Sequence, residues 1–151
     1  MKIKPKIYWD SNCYLAYLMQ ESGRVEKCRT TLELLESNEI YIVTSCLTLT
    51  EVLWVRGGEK IKPESRQRVI DAFEHPNILK YNLTQKIAEE SRELVWNHNI
   101  KPKDSIHLAT ALNLNAEFLE TFDDELLSHD EDFKKITIRQ PLLPDAPEFN
   151  F

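Results

Sequence analysis

The chain has 151 residues and a mass of 17.7 kDa, the size of one compact domain, so a single core without an interdomain linker is expected. Its 42% hydrophobic and 29% charged residues exclude disorder, and a chain of this length buries roughly 70% of its unfolded surface without needing disulfide or metal staples. A net charge of −6 excludes a protein that coats nucleic acid by broad attraction, but not an enzyme that acts on it.

Taken in chain order, the opening Met1-Lys2-Ile3-Lys4-Pro5 has no apolar signal region, and no later apolar run approaches the roughly 20 residues of a membrane span. No membrane association is expected. Ile7-Tyr8-Trp9 is the first strand candidate and leads into an apolar helix over residues 14–19. Residues 24–37 place Val25, Cys28, Leu32 and Leu35 on one helical stripe. Tyr41-Ile42-Val43 predicts a second strand, and residues 46–56 a helix apolar over much of its circumference, hence buried. Pro63 suits the first turn of a helix carrying Val69, Ile70 and Phe73 inward. Ile78-Leu79-Lys80-Tyr81 predicts a third strand, and Thr84 caps a helix carrying Ile87, Ser91, Leu94 and Val95. A second buried helix is expected over residues 104–115. Phe118-Leu119 and Ile136-Thr137-Ile138 complete the strands, and the tail carries Pro141, Pro144 and Pro147, with Leu142, Leu143 and Phe149 available for packing.

With only three glycines there is little turn chemistry for an all-β protein. Strands separated by one or two helices instead predict an α/β fold, a parallel sheet covered on both faces. Cys13, Cys28 and Cys46 are an odd number at spacings that fit neither a disulfide framework nor a zinc site, and read as reduced core residues of a cytoplasmic protein. The acidic surplus lies in the second half of the chain: residues 117–132 hold eight acids and no Lys or Arg.

In an open parallel sheet, ligands bind beyond the carboxyl ends of the strands. Asp10 and Asp123 follow strand runs, and each reads equally as a helix cap or a functional carboxylate. Glu51 sits within the apolar stretch 47–55, where a carboxylate needs solvent, an ion pair such as Arg56, or a functional partner. Asp104 opens a helix and is either a cap or a site residue. Convergence of all four at one sheet edge would require a cation, and an all-oxygen donor set suits Mg²⁺ or Mn²⁺ and phosphoryl chemistry.

These residues resemble the PIN-domain nucleases, and within them the VapC-type toxin ribonucleases. The resemblance runs from about Lys6 to Ile138. It is carried by Ile7-Tyr8-Trp9-Asp10-Ser11-Asn12, by Thr44-Ser45 with Leu49-Thr50-Glu51-Val52, by Asp104-Ser105-Ile106-His107-Leu108-Ala109-Thr110-Ala111, and by Thr121-Phe122-Asp123. It implies a three-layer α/β/α domain over residues 1–138 with a central mainly parallel sheet, followed by a proline-containing tail over 139–151. It further implies a Mg²⁺- or Mn²⁺-dependent single-strand endoribonuclease, the toxin of a type II toxin–antitoxin pair, with RNA as substrate, an antitoxin as partner and a homodimer as assembly. Asp10, Glu51, Asp104 and Asp123 match the acidic quartet. Asn12 and Thr121 match polar positions supporting the acids, with local backbone capping as the alternative role, and Asp124 stands beside Asp123 as a register alternative. His107, one turn after Asp104, is expected to pack in the core or to bond behind the acids.

Lys101, Lys103 and Arg56 are candidates for phosphate contact, as are Arg24 and Lys27 if they border the groove; ordinary solvated charge is the alternative for each. The segment Asn113-Leu114-Asn115-Ala116 stands where the family often has a glycine. A haloacid-dehalogenase phosphatase would need an acid where Asn12 stands, and a receiver domain an early acidic pair and a late lysine. The remaining alternatives are a PIN fold used only for binding or scaffolding, and an RNA-processing nuclease that is not a toxin.

Overall fold

Each expected apolar run forms a strand, and the strands pair into one parallel sheet. A computed structural model of the chain describes residues 3–55 and 57–143. In chain order the elements are β1 (Lys6–Trp9), α1 (Ser11–Leu18), α2 (Val25–Glu36), β2 (Tyr41–Ser45), α3 (Cys46–Glu51), α4 (Arg66–Asp71), β3 (Ile78–Tyr81), α5 (Gln85–His98), α6 (Pro102–Asn113), β4 (Phe118–Glu120), α7 (Asp124–Leu127) and β5 (Thr137–Arg139). The sheet order is β3-β2-β1-β4-β5, all parallel, with Ile7 facing Ile42 on one side and Phe118 on the other. The last strand begins one residue later than Ile136.

Alternation along the central strands divides the core in two. Ile7, Trp9 and Ile42 pack with Leu15, Leu18, Cys28, Leu35 and Phe73 on one face. Tyr8, Val43 and Leu119 pack with Leu108, Ala111 and Leu126 on the other. The result is the expected three-layer α/β/α arrangement. Asparagines supply the turns that scarce glycines do not: Asn38, Asn99 and Asn115 all adopt positive φ, which Asn tolerates better than most side chains. Asn115, at +54°, thereby does the work of the missing glycine before β4. Among the described residues, no helix is long and apolar enough to cross a membrane.

Two helical expectations need correction. The buried helix over 46–56 stops at Glu51, and the chain then folds back so that Trp54 bridges Lys60 and the Ile61 amide donates to Leu53. Gly57 and Gly58, at φ of +97° and +87°, make the reversal, and the β-branched and aromatic Val52, Trp54 and Val55 suit an extended approach to it. Consequently Leu49, Leu53 and Trp54 are exposed, Trp54 by 59%. The helix after Pro63 starts as a 3₁₀ turn (Pro63–Ser65) and continues only to Asp71; Phe73 is buried, whereas Ile70 is 43% exposed. Positions 69 and 73 share a face and position 70 lies about 100° round from it. Cys13 and Cys28 are buried and Cys46 half-buried, all with free thiols. Pro141 is buried and Leu143 exposed; Arg56 and residues 144–151, with Phe149, lie outside the described residues.

Candidate active site

The parallel register brings two strand ends together. Trp9 and Glu120 are partners across β1 and β4, so Asp10 and Thr121 emerge side by side at the carboxyl edge. The Thr121 hydroxyl donates to Asp10 Oδ2 at 2.5 Å, accepts the Asp123 amide at 3.0 Å, and lies 3.3 Å from the donating Asn12 amide nitrogen. Asn12 Oδ1 accepts the Phe122 amide at 3.0 Å. Asn12 thus caps backbone and contacts Thr121, while Thr121 bonds an acid directly.

Asp10 occupies the N-cap position of α1, yet its side chain makes no capping bond. Its carboxylate is 4% exposed, and Oδ1 is buried without a hydrogen-bond partner. Burial pushes the Asp10 carboxyl up to about 6, the Thr121 hydroxyl opposing that rise. Asp123 does cap: its Oδ1 accepts the Leu126 amide at the start of α7. Asp104 lies in the first turn of α6, which Pro102 opens two residues earlier than expected. Its carboxyl is raised above the ordinary range, first by burial and then by the charge of Asp123, with Glu51 and Glu125 adding to it.

Glu51 is the last residue of α3, and its Oε1 lies 2.6 Å from His107 Nε2, so the imidazole is its partner among the described residues. His107 both packs in the core and bonds Glu51. Asp124 is exposed at the first position of α7. Carboxylate oxygens of Asp104, Asp123 and Glu125 lie within 4.8 Å of one another. Sequence reasoning did not single out Glu125; its only signal is its place two residues after Asp123 in the acidic run.

The expected basic contacts are less uniform. Lys101 Nζ lies 3.2 Å from Glu125 Oε2, so its charge is already matched. Lys103 is exposed beside Asp104 and forms no ion pair among the described residues. Arg24 pairs with Glu21 at 3.5 Å and lies over the Phe122 ring at 4.8 Å, next to Asp123, whereas Lys27 donates to Gln140.

The Asp104, Asp123 and Glu125 oxygens form a hard-oxygen donor set, while Asp10, with its orphaned buried oxygen at the same sheet edge, and Glu51 stand outside that close group. The set fits a divalent cation and, without one, places like charges in mutual repulsion. Such a set at the edge of a parallel sheet can bind a metal and present it to a phosphodiester.

The chain belongs to the PIN domain family, whose profile matches residues 7–138. Among individual proteins it is similar to Ribonuclease VapC2 of Methanocaldococcus jannaschii, 26% identical over an alignment 147 positions long that covers 87% of this chain and 89% of that protein. Solved structures share the fold. VapC20 of Mycobacterium tuberculosis, described as a sarcin–ricin loop cleaving toxin, matches with a TM-score of 0.60 at 15% identity over 87% of this chain and 98% of its own. A toxin–antitoxin complex from Klebsiella pneumoniae matches at 0.60 and 23% identity, covering 91% and 98%. VapBC2 of Rickettsia felis, bound to a DNA fragment from its promoter, matches at 0.64 and 18%, covering 89% and 98%.

Proposed function

We propose that the chain is a divalent-metal-dependent endoribonuclease that hydrolyses single-stranded RNA, and that it is the toxin of a type II toxin–antitoxin pair in the cytoplasm. The observation that carries the reading is the buried, unpartnered Asp10 Oδ1 at the same edge as the Asp104, Asp123 and Glu125 oxygens, in a PIN chain. The substrate class and the toxin role draw on the relatives' names, ribonuclease and toxin–antitoxin complex.

In this reading Asp10, Asp104 and Asp123, with Glu51 and Glu125 beside them, would hold Mg²⁺ or Mn²⁺. The ion supplies Lewis-acid stabilisation of the charge that develops on a phosphodiester. Thr121 and Asn12 keep Asp10 and the Asp123 backbone in place, and the Asp123 carboxylate is held by the α7 amide it caps. Lys103 contacts substrate phosphate, with Arg24 as a further candidate at the groove and Arg56 a candidate from the sequence alone. Leu49, Leu53, Trp54 and Ile70 give an apolar surface for protein partners, either a second copy of the chain or an antitoxin.

The test is cleavage of a single-stranded RNA panel by the purified, antitoxin-free chain with Mg²⁺, Mn²⁺ or EDTA, followed by end-group analysis. Hydrolysis by water leaves 5′-phosphate and 3′-hydroxyl ends, because the ribose 2′-hydroxyl takes no part. Cleavage that survives EDTA, or cyclic-phosphate products, overturns the metal reading. Inactivity on every RNA, with a folded protein, favours a PIN fold that binds without turnover.

A further inference from the structure

Behind the acids runs a line of hydrogen bonds joining four elements, β2, β1, α6 and α3. The Ser45 amide at the end of β2 donates to the Tyr8 hydroxyl at 3.0 Å, that hydroxyl lies 2.6 Å from His107 Nδ1, and His107 Nε2 lies 2.6 Å from Glu51 Oε1. Tyr8 is fully buried and His107 nearly so.

The Ser45 amide only donates, so the Tyr8 oxygen accepts from it, and the same phenol meets the imidazole at Nδ1 while the opposite ring nitrogen, Nε2, meets Glu51. One side chain of α6 thereby ties the strand β1 to the end of α3.

Glu51 needs such a hold. It ends a six-residue helix and precedes the Gly57–Gly58 reversal, a place where a short helix leaves its last residue poorly fixed. His107 lies one turn along α6 from Asp104, so a bond from its ring draws Glu51 across from α3 to the turn that carries Asp104.

We propose that Tyr8 and His107 are positioning residues for Glu51. Tyr8 holds the imidazole from Nδ1, and the ring holds one Glu51 oxygen from Nε2 so that the other remains for a divalent cation. The role of the cation rests on the function proposed above; the hold on Glu51 does not.

Mn²⁺ affinity of the full chain, followed by electron paramagnetic resonance, tests it and should separate two neutral substitutions. In His107→Gln the amide nitrogen reaches the place of Nε2 and should keep affinity within about threefold; His107→Asn reaches only the place of Nδ1 and should lose about tenfold or more. Tyr8→Phe removes the bond to Nδ1 while keeping the aromatic ring, and should lower affinity in the same direction as His107→Asn. Equal affinities for the Gln and Asn variants mean that His107 only fills space, and overturn the proposal. A wild type that binds Mn²⁺ and separates the Gln and Asn variants yet cuts no RNA removes the nuclease reading and leaves the positioning role standing.

Discussion

Thr121 and Asp10 share a 2.5 Å hydrogen bond because the residues before them, Glu120 and Trp9, are register partners across β4 and β1. A single hydroxyl ties the residue after one strand to the turn after its neighbour, since it also accepts the Asp123 amide. Thr121→Val keeps the volume but leaves that amide without its acceptor and Asp10 without its donor. We expect a loss of about 1–3 kcal/mol in urea unfolding and at least about tenfold in RNA cleavage, with Thr121→Ser close to wild type. A valine variant that cleaves at the wild-type rate would count against this role.

Asp10 makes the site a cost to the apo fold. Its carboxyl rises from 3.8 to about 6 on folding, chiefly through burial, so between these values the folded chain binds the proton more tightly than the unfolded one. The sign follows: this group favours folding most below its unfolded pKa, and that advantage is lost as pH rises through about 6. In EDTA, Asp10→Asn should therefore raise stability at pH 7.5 by about 1–2 kcal/mol, the gain fading towards pH 4, while Mn²⁺ binding weakens. Thermal unfolding across pH checks this, and a variant less stable than wild type at pH 7.5 in EDTA contradicts it.

Where local pattern and tertiary packing agree, the fold is readable in the sequence. The apolar triplets become strands, and Thr84 caps α5 through the Ile87 amide, because period and cap chemistry point the same way. The stretch 46–56 misleads because its apolar residues satisfy a helical period that the glycine pair cuts short. Asp10 and Asp123 look alike as residues following strands, but only Asp123 caps with its side chain, a distinction set by β1–β4 register that no local motif encodes. The Tyr8–His107 bond spans 99 residues and Tyr8 reads as plain strand core, so it needs the packed structure to be seen. Glu125 hides in the acidic run for the same reason: composition marks the run, and only the turn of α7 selects which of its carboxylates meets Asp104.

The same acidic run conceals a structural ion pair. Glu120 is fully buried between β1 and β5, accepting Trp9 Nε1 at 2.8 Å and Thr31 at 2.7 Å, with its register partner Arg139 at 3.2 Å. Burial raises its carboxyl and Arg139 opposes the rise. Arg139→Met keeps an unbranched stem but loses the guanidinium, which lies over the Phe118 ring at 3.5 Å, and strips the buried carboxylate of its counter-charge. Breaking a buried pair from one side costs about 3–5 kcal/mol, so we expect a loss of that order in urea unfolding at pH 7.5. Glu120→Gln with Arg139→Met should recover part of it, and a single variant within about 0.5 kcal/mol of wild type would refute the argument.

Lys101 and Lys103 flank Asp104's turn, yet they should contribute unequally to RNA binding. The Lys101 ammonium is matched by Glu125 at 3.2 Å, so phosphate must compete with a carboxylate already in place. Lys103 forms no ion pair among the described residues and stands exposed in the first turn of the same helix. Each phosphate contact to single-stranded nucleic acid contributes about 0.7 to the slope of log affinity against log salt. Lys103→Ala should lower that slope by about 0.7 and raise KM several-fold with kcat little changed, because a positional contact acts alike on bound substrate and transition state. Lys101→Ala should leave slope and KM near wild type. Glu125→Gln should do the opposite of a simple loss, weakening Mn²⁺ binding while releasing Lys101 and steepening the salt slope. Fluorescence anisotropy of a labelled oligoribonucleotide in EDTA, where cleavage is arrested, gives the slopes, and equal slopes for the two lysine variants would remove the distinction between them.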